Sequence, residues 1–314
     1  MTTKKIAKST MARPKGAAAK KIAPQADTVR VAAIQMASGP NVPANLAEAE
    51  RLIELAVDSG ARLVVLPEFF CIMAMKDSYV VKAREAEGHG PIQAFLARMA
   101  KKHRIWLIGG SVPLEAGATN KVRNSCLVYD ERGKQVARYD KIHLFGLDLG
   151  NEHYQEAKLI EPGDKVVVIN SPFGRIGLSI CYDLRFPELY RAMPDVDIIV
   201  VPSALTATTG RAHFETLIRA RAIENLAYVV APAQGGYHLS GRETHGDSMI
   251  VDPWGVVLDR LPRGSGVVIA NINPAYLTSI RKSLPALQHR FIQCQQIPVE
   301  VIERRTVAKR EPAK

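Results

Sequence analysis

A chain of 314 residues, 47% of them hydrophobic, can bury a large core as one big domain or two modest ones. It contains no run of about 18 uncharged apolar residues, and its N-terminus lacks the apolar centre of a secretory signal, which argues against a membrane span and against export. The net charge of +11 gathers at one end: residues 1–27 hold seven basic side chains (Lys4, Lys5, Lys8, Arg13, Lys15, Lys20, Lys21) and one acid, Asp27, or +6 of the total, so the body is only mildly basic.

That first stretch is rich in Lys and Ala, is broken by Pro14 and Pro24 and has no aromatic residue, so it reads as disordered. A solvated tail is the first reading, weak contact with nucleic-acid phosphates the second, and a mitochondrial presequence the third, because presequences favour Arg and Ser over Lys. From Val29 onward strands alternate with helices. RVAAIQMA is an apolar run, and the segment after Pro43 has apolar residues at helical spacing up to Gly60. ARLVVLPEFF is the next strand, PIQAFLARMAKKH a helix and IWLIGGSVP a strand. NSCLVYD and KQVARYDKIHL form a hairpin about Gly133. VVVIN, RIGLSIC and DIIVVPSA follow as strands, with PELYRAM as a short helix between the last two. HFETLIRARAIENL is helical, AYVVAPAQG is a strand, and DSMIVDPWGVVLDR with GSGVVIANI reads as a terminal strand pair. The alternation predicts an α/β protein with helices over mostly buried sheets.

The four cysteines, Cys71, Cys126, Cys181 and Cys294, lie far apart with no CxxC pair, which gives little support to a zinc site or a disulfide framework and favours a reducing, cytosolic setting. Cys71, Cys126 and Cys294 read as inert small hydrophobes. Cys181 differs, because it ends an apolar strand and is followed at once by charge, in GLSICYDLRF. Glu68 in LVVLPEFF and Lys141 in RYDKIHLF interrupt strand ends in the same way. In α/β folds the carboxyl ends of strands collect in one crevice, so the three point to a shared site. A thiol is a nucleophile only as thiolate; a carboxylate can take its proton and a lysine can stabilise the charge that develops. His143 and His213 invite a Cys-His alternative, but a histidine in such a context is more often a satisfied core or loop residue.

The order LPEFF, YDKIHLF, ICYDLRFPELYR resembles the nitrilase, or carbon–nitrogen hydrolase, superfamily over roughly residues 29–292. PSALTATTGRAHFETLIRARAIENLAYVV, DSMIVDPWG and SLPALQHRF are similar to its Nit branch. The resemblance implies a four-layer α-β-β-α sandwich and a cofactor-free, metal-free amidase working through a cysteine thioester. It implies Glu68 as general base and acid, Lys141 as oxyanion stabiliser, Cys181 as nucleophile and the Tyr182 N–H as second oxyanion donor. Its accessory glutamate falls on Glu156 or on the competing Glu152. Asp183 is read as ordering the turn after the nucleophile, and Arg185 as either bracing that turn or binding a substrate carboxylate. Arg185 and Arg211 are the cationic candidates for a substrate acid, with Thr209 and His213 in the same pocket loop. The substrate expected first is deaminated glutathione and second a short omega-amide of a keto or dicarboxylic acid, with release of ammonia. A homodimer or higher homo-oligomer is expected, without a membrane partner. The reading of another class is a nucleic-acid-associated or scaffold protein that uses the basic tail. Two departures from the branch pattern stand near the expected pocket or dimer contact: His245, Gly246 and Asp247 replace an aromatic, Gly and His, and Gly146 replaces Asp. The domain organisation expected is a tail over 1–28, one hydrolase domain over 29–295 and a C-terminal extension over 296–314.

Overall fold

The computed structural model describes residues 28–150, 152–292 and 299–303. The basic tail of residues 1–27, Cys294 and most of the 296–314 stretch lie outside the described residues. The elements begin with β1 (Val29–Gln35), α1 (Val42–Asp58), β2 (Leu63–Val65), α2 (Asp77–Lys82), α3 (Pro91–His103), β3 (Trp106–Ile108), β4 (Val112–Glu115), β5 (Val122–Tyr129) and β6 (Gln135–Asp140). A small hairpin of β7 (Gly146–Leu149) and β8 (Glu152–Gln155) leads to β9 (Val166–Ser171), β10 (Gly174–Leu178), α4 (Pro187–Ala192), β11 (Ile198–Val200), α5 (Ala207–Asn225) and β12 (Tyr228–Ala231). A second hairpin, β13 (Gly235–Tyr237) with β14 (Glu243–His245), precedes β15 (Ser248–Val251), β16 (Val257–Leu261), β17 (Gly266–Ile272), α6 (Pro274–Ser283) and β18 (Val299–Ile302).

Successive side chains of a strand point to opposite faces, so an unbroken apolar run has to be covered on both. The chain does this with two seven-stranded sheets, ordered β17-β1-β2-β3-β5-β4 with β6 added on β5, and β16-β15-β12-β11-β10-β9-β18. In β1, Val31 and Ala33 face the core between the sheets, whereas Ala32 and Ile34 face the core beneath α1 and α3. In β11, Ile198 and Val200 enter the same central core, and Ile199 with Val201 packs under α4 and α5. Helix α1 presents Ala49, Leu52, Ile53 and Ala56, the i, i+3, i+4, i+7 stripe that one covered face requires. The result is the four-layer α-β-β-α sandwich implied by the motif order.

Two strands lie where the linear pattern does not put them. SMIV and VLDRL pair with each other about the Asp252–Gly255 turn, which the Asp252 carboxylate closes by accepting from Trp254 N and Val256 N. The last long strand, β17, then leaves that sheet and pairs antiparallel with β1, from Val29 opposite Ile272 to Gln35 opposite Gly266. Residues 299–302, read as part of an extension, run parallel to β9 at the outer edge of the second sheet.

Glu68 lies three residues beyond β2, Lys141 directly after β6 and Cys181 three residues beyond β10. The first two leave one sheet and the third leaves the other, so the site is assembled across the sandwich. The run IWLIGGSVP breaks into β3 and β4 because Gly109, Gly110 and Ser111 wrap the bend that carries Glu68: Gly109 N–H donates to the Leu127 carbonyl and the Ser111 hydroxyl accepts from Phe69 N–H. Gly110 has φ of +56°, and a Cβ there would stand 2.0 Å from the Pro67 carbonyl oxygen. Gly110→Ala should therefore cost roughly 2–4 kcal/mol, backbone strain and overlap together, read as a lowered midpoint in chemical denaturation. A midpoint unchanged from wild type would contradict this account of the bend.

Candidate active site

The strand β10 delivers Cys181 into a 3-10 turn, Cys181–Arg185, in a left-handed conformation with φ of +48°. A β-substituted residue in this region is strained, so neighbouring contacts must hold it. Cys181 N–H donates to the Pro202 carbonyl at 2.8 Å. The fully buried Asp183 carboxylate accepts from Ile180 N at 2.9 Å, the Tyr139 hydroxyl at 2.7 Å and His143 N at 3.0 Å, and its Oδ1 lies 2.8 Å from His143 Nδ1. The His143 ring stacks on Phe186 at 3.7 Å. Asp183 thus orders the turn, and His143 serves it rather than the thiol.

Beneath the turn lies the charged cluster. Lys141 Nζ donates to Glu68 Oε1 at 2.8 Å and to Glu156 Oε2 at 2.8 Å and Oε1 at 3.1 Å. Glu68 and Lys141 are almost wholly enclosed, 2% and 1% exposed. Glu156 sits at the base of the β7–β8 hairpin, where its side chain accepts from Phe145 N at 2.7 Å and its own N–H donates to the Phe145 carbonyl. Glu152 is at the hairpin's other end, opposite Leu149, and accepts from the Thr208 hydroxyl. Geometry therefore gives Lys141 to Glu156. Asn124, which the sequence reading did not single out, donates through Nδ2 to Glu68 Oε1 at 3.0 Å. With Lys141 and Asn124 both on Oε1, the other oxygen of Glu68 is left for the thiol.

The electrostatics follow from this burial. Desolvation of the ammonium would lower the Lys141 pKa, but the Glu156 and Glu68 carboxylates outweigh it and hold the amine charged, well above its ordinary value. Burial raises the Glu156 carboxyl, with the negative charge of Glu68 adding to the effect against the pull of Lys141. Burial also pushes the Cys181 thiol well above its ordinary value, and the neighbouring Glu68 adds to the rise. Both effects favour the protonated form of Cys181. Its sulfur accepts the Ala204 N–H at 3.4 Å.

A narrow cleft opens over the sulfur, lined by Phe145, Tyr182, Arg185, Ala204, Thr209 and Leu217. Arg185 lies over the Tyr182 ring at 5.7 Å, and its Nη1 is 3.2 Å from His213 Nδ1. Thr209 is buried and its hydroxyl meets that of Thr206, the N-cap of α5. Arg211 is exposed and does not line the cleft. His213 is also exposed and reaches the cleft only through Arg185. Neither departure from the branch pattern lines this cleft: Gly146 opens β7, and Asp247 makes a bidentate pair with Arg260. Burial would raise the Asp247 carboxyl, but His245 and Arg260 hold it below its usual range. Among the described residues, no helix is long and apolar enough to cross a membrane.

A sandwich with a cysteine elbow above a Glu-Lys-Glu cluster has the layout of a carbon–nitrogen hydrolase, and the family profile described as Carbon-nitrogen hydrolase matches residues 30–282. The chain belongs to this family, and its reaction is that of an amidase. It is 43% identical to the deaminated glutathione amidase of Synechocystis sp. over 82% of this chain and 97% of that one. To the deaminated glutathione amidase of Yersinia enterocolitica it is 40% identical, over 83% and 93%. Among solved structures it resembles Saccharomyces cerevisiae Nit3, a member of branch 10 of the nitrilase superfamily, with 31% identity, a TM-score of 0.76 and coverage of 85% of this chain and 98% of that one.

The raised Cys181 pKa has a spectroscopic consequence. The ultraviolet difference spectrum of wild type against Cys181→Ala should lack a thiolate band near neutral pH and gain one only in strong alkali, because a raised pKa keeps the proton on sulfur. A full thiolate band at neutral pH would contradict the account.

Proposed function

We propose that this amidase cleaves its substrate through a thioester on Cys181, with Glu68 as base and acid, Lys141 and the Tyr182 N–H as oxyanion donors and Glu156 as the group that positions Lys141. The observation that carries the reading is the single Lys141 ammonium bridging Glu68 and Glu156 directly below the strained cysteine turn. Because the thiol rests protonated, Glu68 takes its proton as sulfur attacks the amide carbon. The carbonyl electron pair moves to oxygen, where Lys141 and the Tyr182 N–H, at the open start of the 3-10 turn, balance it. Collapse of that adduct breaks the carbon–nitrogen bond; the amine leaves with the proton held by Glu68, and the acyl group stays on sulfur. Water then gives a proton to Glu68 as its oxygen attacks the thioester. The carboxylic acid departs and the proton returns to Cys181.

The substrate is an acid carrying an amide, held by Arg185 at the cleft. Deaminated glutathione, named for the relatives above, is the first candidate and a short omega-amide the second. The leaving groups differ: a primary omega-amide gives ammonia, whereas deaminated glutathione has only secondary amide bonds and gives a peptide amine. Exposed Ile223, Trp254, Val256 and Leu258, which include the β15–β16 turn packed near α5, support an assembly of at least two copies. The buried free thiols Cys71 and Cys126 favour a reducing compartment such as the cytosol.

Intact-mass measurement during turnover should find an acyl adduct that peptide mapping places on Cys181, and Cys181→Ala should keep its fold and lose turnover by several orders of magnitude. Arg185→Lys should lower kcat/KM for a carboxylate-bearing amide by about tenfold or more relative to a neutral amide of matched length, since a paired guanidinium–carboxylate contact is lost. Turnover by Cys181→Ala would overturn the mechanism, and equal efficiency on charged and neutral amides the substrate class.

A further inference from the structure

We infer that Arg242 recognises a carboxylate on the departing amine, so that the site is built for an amide with an acid on each side of the bond it cleaves. The inference rests on the reading above, in which Arg185 holds the acid of the acyl half. Arg242 stands in the β13–β14 hairpin, just before β14. Its Nη2 donates to the Ala204 carbonyl at 2.6 Å, and its guanidinium lies 5.2 Å from the centre of the Tyr154 ring. Ala204 is the residue whose N–H meets the Cys181 sulfur, so one residue separates this cation from the nucleophile.

Three observations distinguish Arg242 from a surface arginine. Among the described residues it has no carboxylate within ion-pair distance, whereas Arg260, Arg263 and Arg281 each hold one. Its Nε is shut off from water and has no acceptor. With Nη2 on the Ala204 carbonyl and Nε enclosed, the guanidinium charge has no anionic partner among the described residues, and a bound carboxylate would supply one. The third concerns placement. Phe145 packs against Tyr154 at 5.5 Å and against Tyr182 at 5.2 Å, Arg242 lies over the first ring and Arg185 over the second. The two cations are therefore set apart by the Tyr154–Phe145–Tyr182 row. Arg185 lines the cleft over the Cys181 sulfur, where the reading above seats the acyl group, and Arg242 touches Ala204 at its edge. An acid on the acyl half meets the former, and an acid on the amine half meets the latter. Deaminated glutathione, with a carboxylate at each end, is a molecule of this class.

The alternative is that Arg242 only braces the Ala204 carbonyl. The two roles separate with a pair of substrates that share one acid-bearing acyl group: its primary amide, which releases ammonia, and its amide with glycine, which releases an amine bearing a carboxylate. The ratio of kcat/KM for the glycine amide over the primary amide should fall by about tenfold to a hundredfold in Arg242→Gln, mainly through KM, with part of the ratio restored in Arg242→Lys. A ratio unchanged from wild type, with both substrates reduced together or not at all, would overturn the proposal. Wild type gives an independent reading that needs no variant. Methyl esterification of the glycine carboxylate should lower kcat/KM by a similar factor, and no change would overturn the proposal. Arg185→Lys acts on both substrates alike through the acyl half, so a failure of the acyl reading appears there and leaves the amine-side ratio to be judged by itself.

Discussion

The ammonium of Lys141 is enclosed by protein and shared by two carboxylates, and the arrangement of the site depends on it. Taking such an ion out of water is costly unless opposite charges and hydrogen bonds replace the solvent. Here they come from separate parts of the chain: Glu68 from the bend after β2, Glu156 from the base of the β7–β8 hairpin and Asn124 from β5. None of these segments can shift without leaving a buried charge uncompensated. The cluster therefore fixes the position of Glu68, the base of the proposed mechanism.

The second constraint is the conformation of Cys181. Its positive φ is maintained by contacts on either side, with its N–H tied to Pro202 and the following turn tied to Asp183, which also gathers Tyr139 and His143 from the other half of the sandwich. The Asp183 contacts bridge the two sheets, and the Lys141 cluster ties the first sheet to the β7–β8 hairpin, so the packing of these parts sets the geometry of the site. In the proposed mechanism the thiol needs no resting ionisation, because Glu68 takes its proton as the sulfur attacks. An inert resting thiol is also shielded from adventitious chemistry, since attack needs the thiolate.

Much of this was legible in the sequence because a charged or nucleophilic residue at the end of an apolar strand is conspicuous. Glu68, Lys141 and Cys181 stood out on that ground, and periodicity gave the order of the main strands and helices but not α2, the β7–β8 and β13–β14 hairpins, α6 or β18, which bury few side chains. Glu156 and Glu152 could not be separated, because which of them faces Lys141 depends on the register of a hairpin that the local pattern leaves open. Asn124 reads as an ordinary strand residue until its partner across the sheet is known. Arg211 was grouped with Thr209 by nearness in sequence. At 3.6 residues per turn, positions two apart on a helix lie about 200° from each other, so a buried Thr209 turns Arg211 to solvent. His213, four residues on from Thr209, returns to the face where Arg185 waits. Arg242 was invisible for a similar reason, its relation to the nucleophile running through the carbonyl of Ala204. The pairing of β17 with β1 joins chain ends more than two hundred residues apart, a choice between two apolar sheet edges on which local sequence is silent.

The direct measurement is the single-turnover rate of acyl-enzyme formation in Lys141→Met, followed by rapid quench and intact mass. Methionine keeps the apolar length of lysine and removes its charge. Circular dichroism should show the native fold. With no ammonium between them, Glu68 and Glu156 repel each other, one takes up a proton and the oxyanion loses its donor. Acylation of Cys181 is then predicted to slow by at least about a thousandfold. Acylation within a few-fold of wild type in the folded variant would contradict the account.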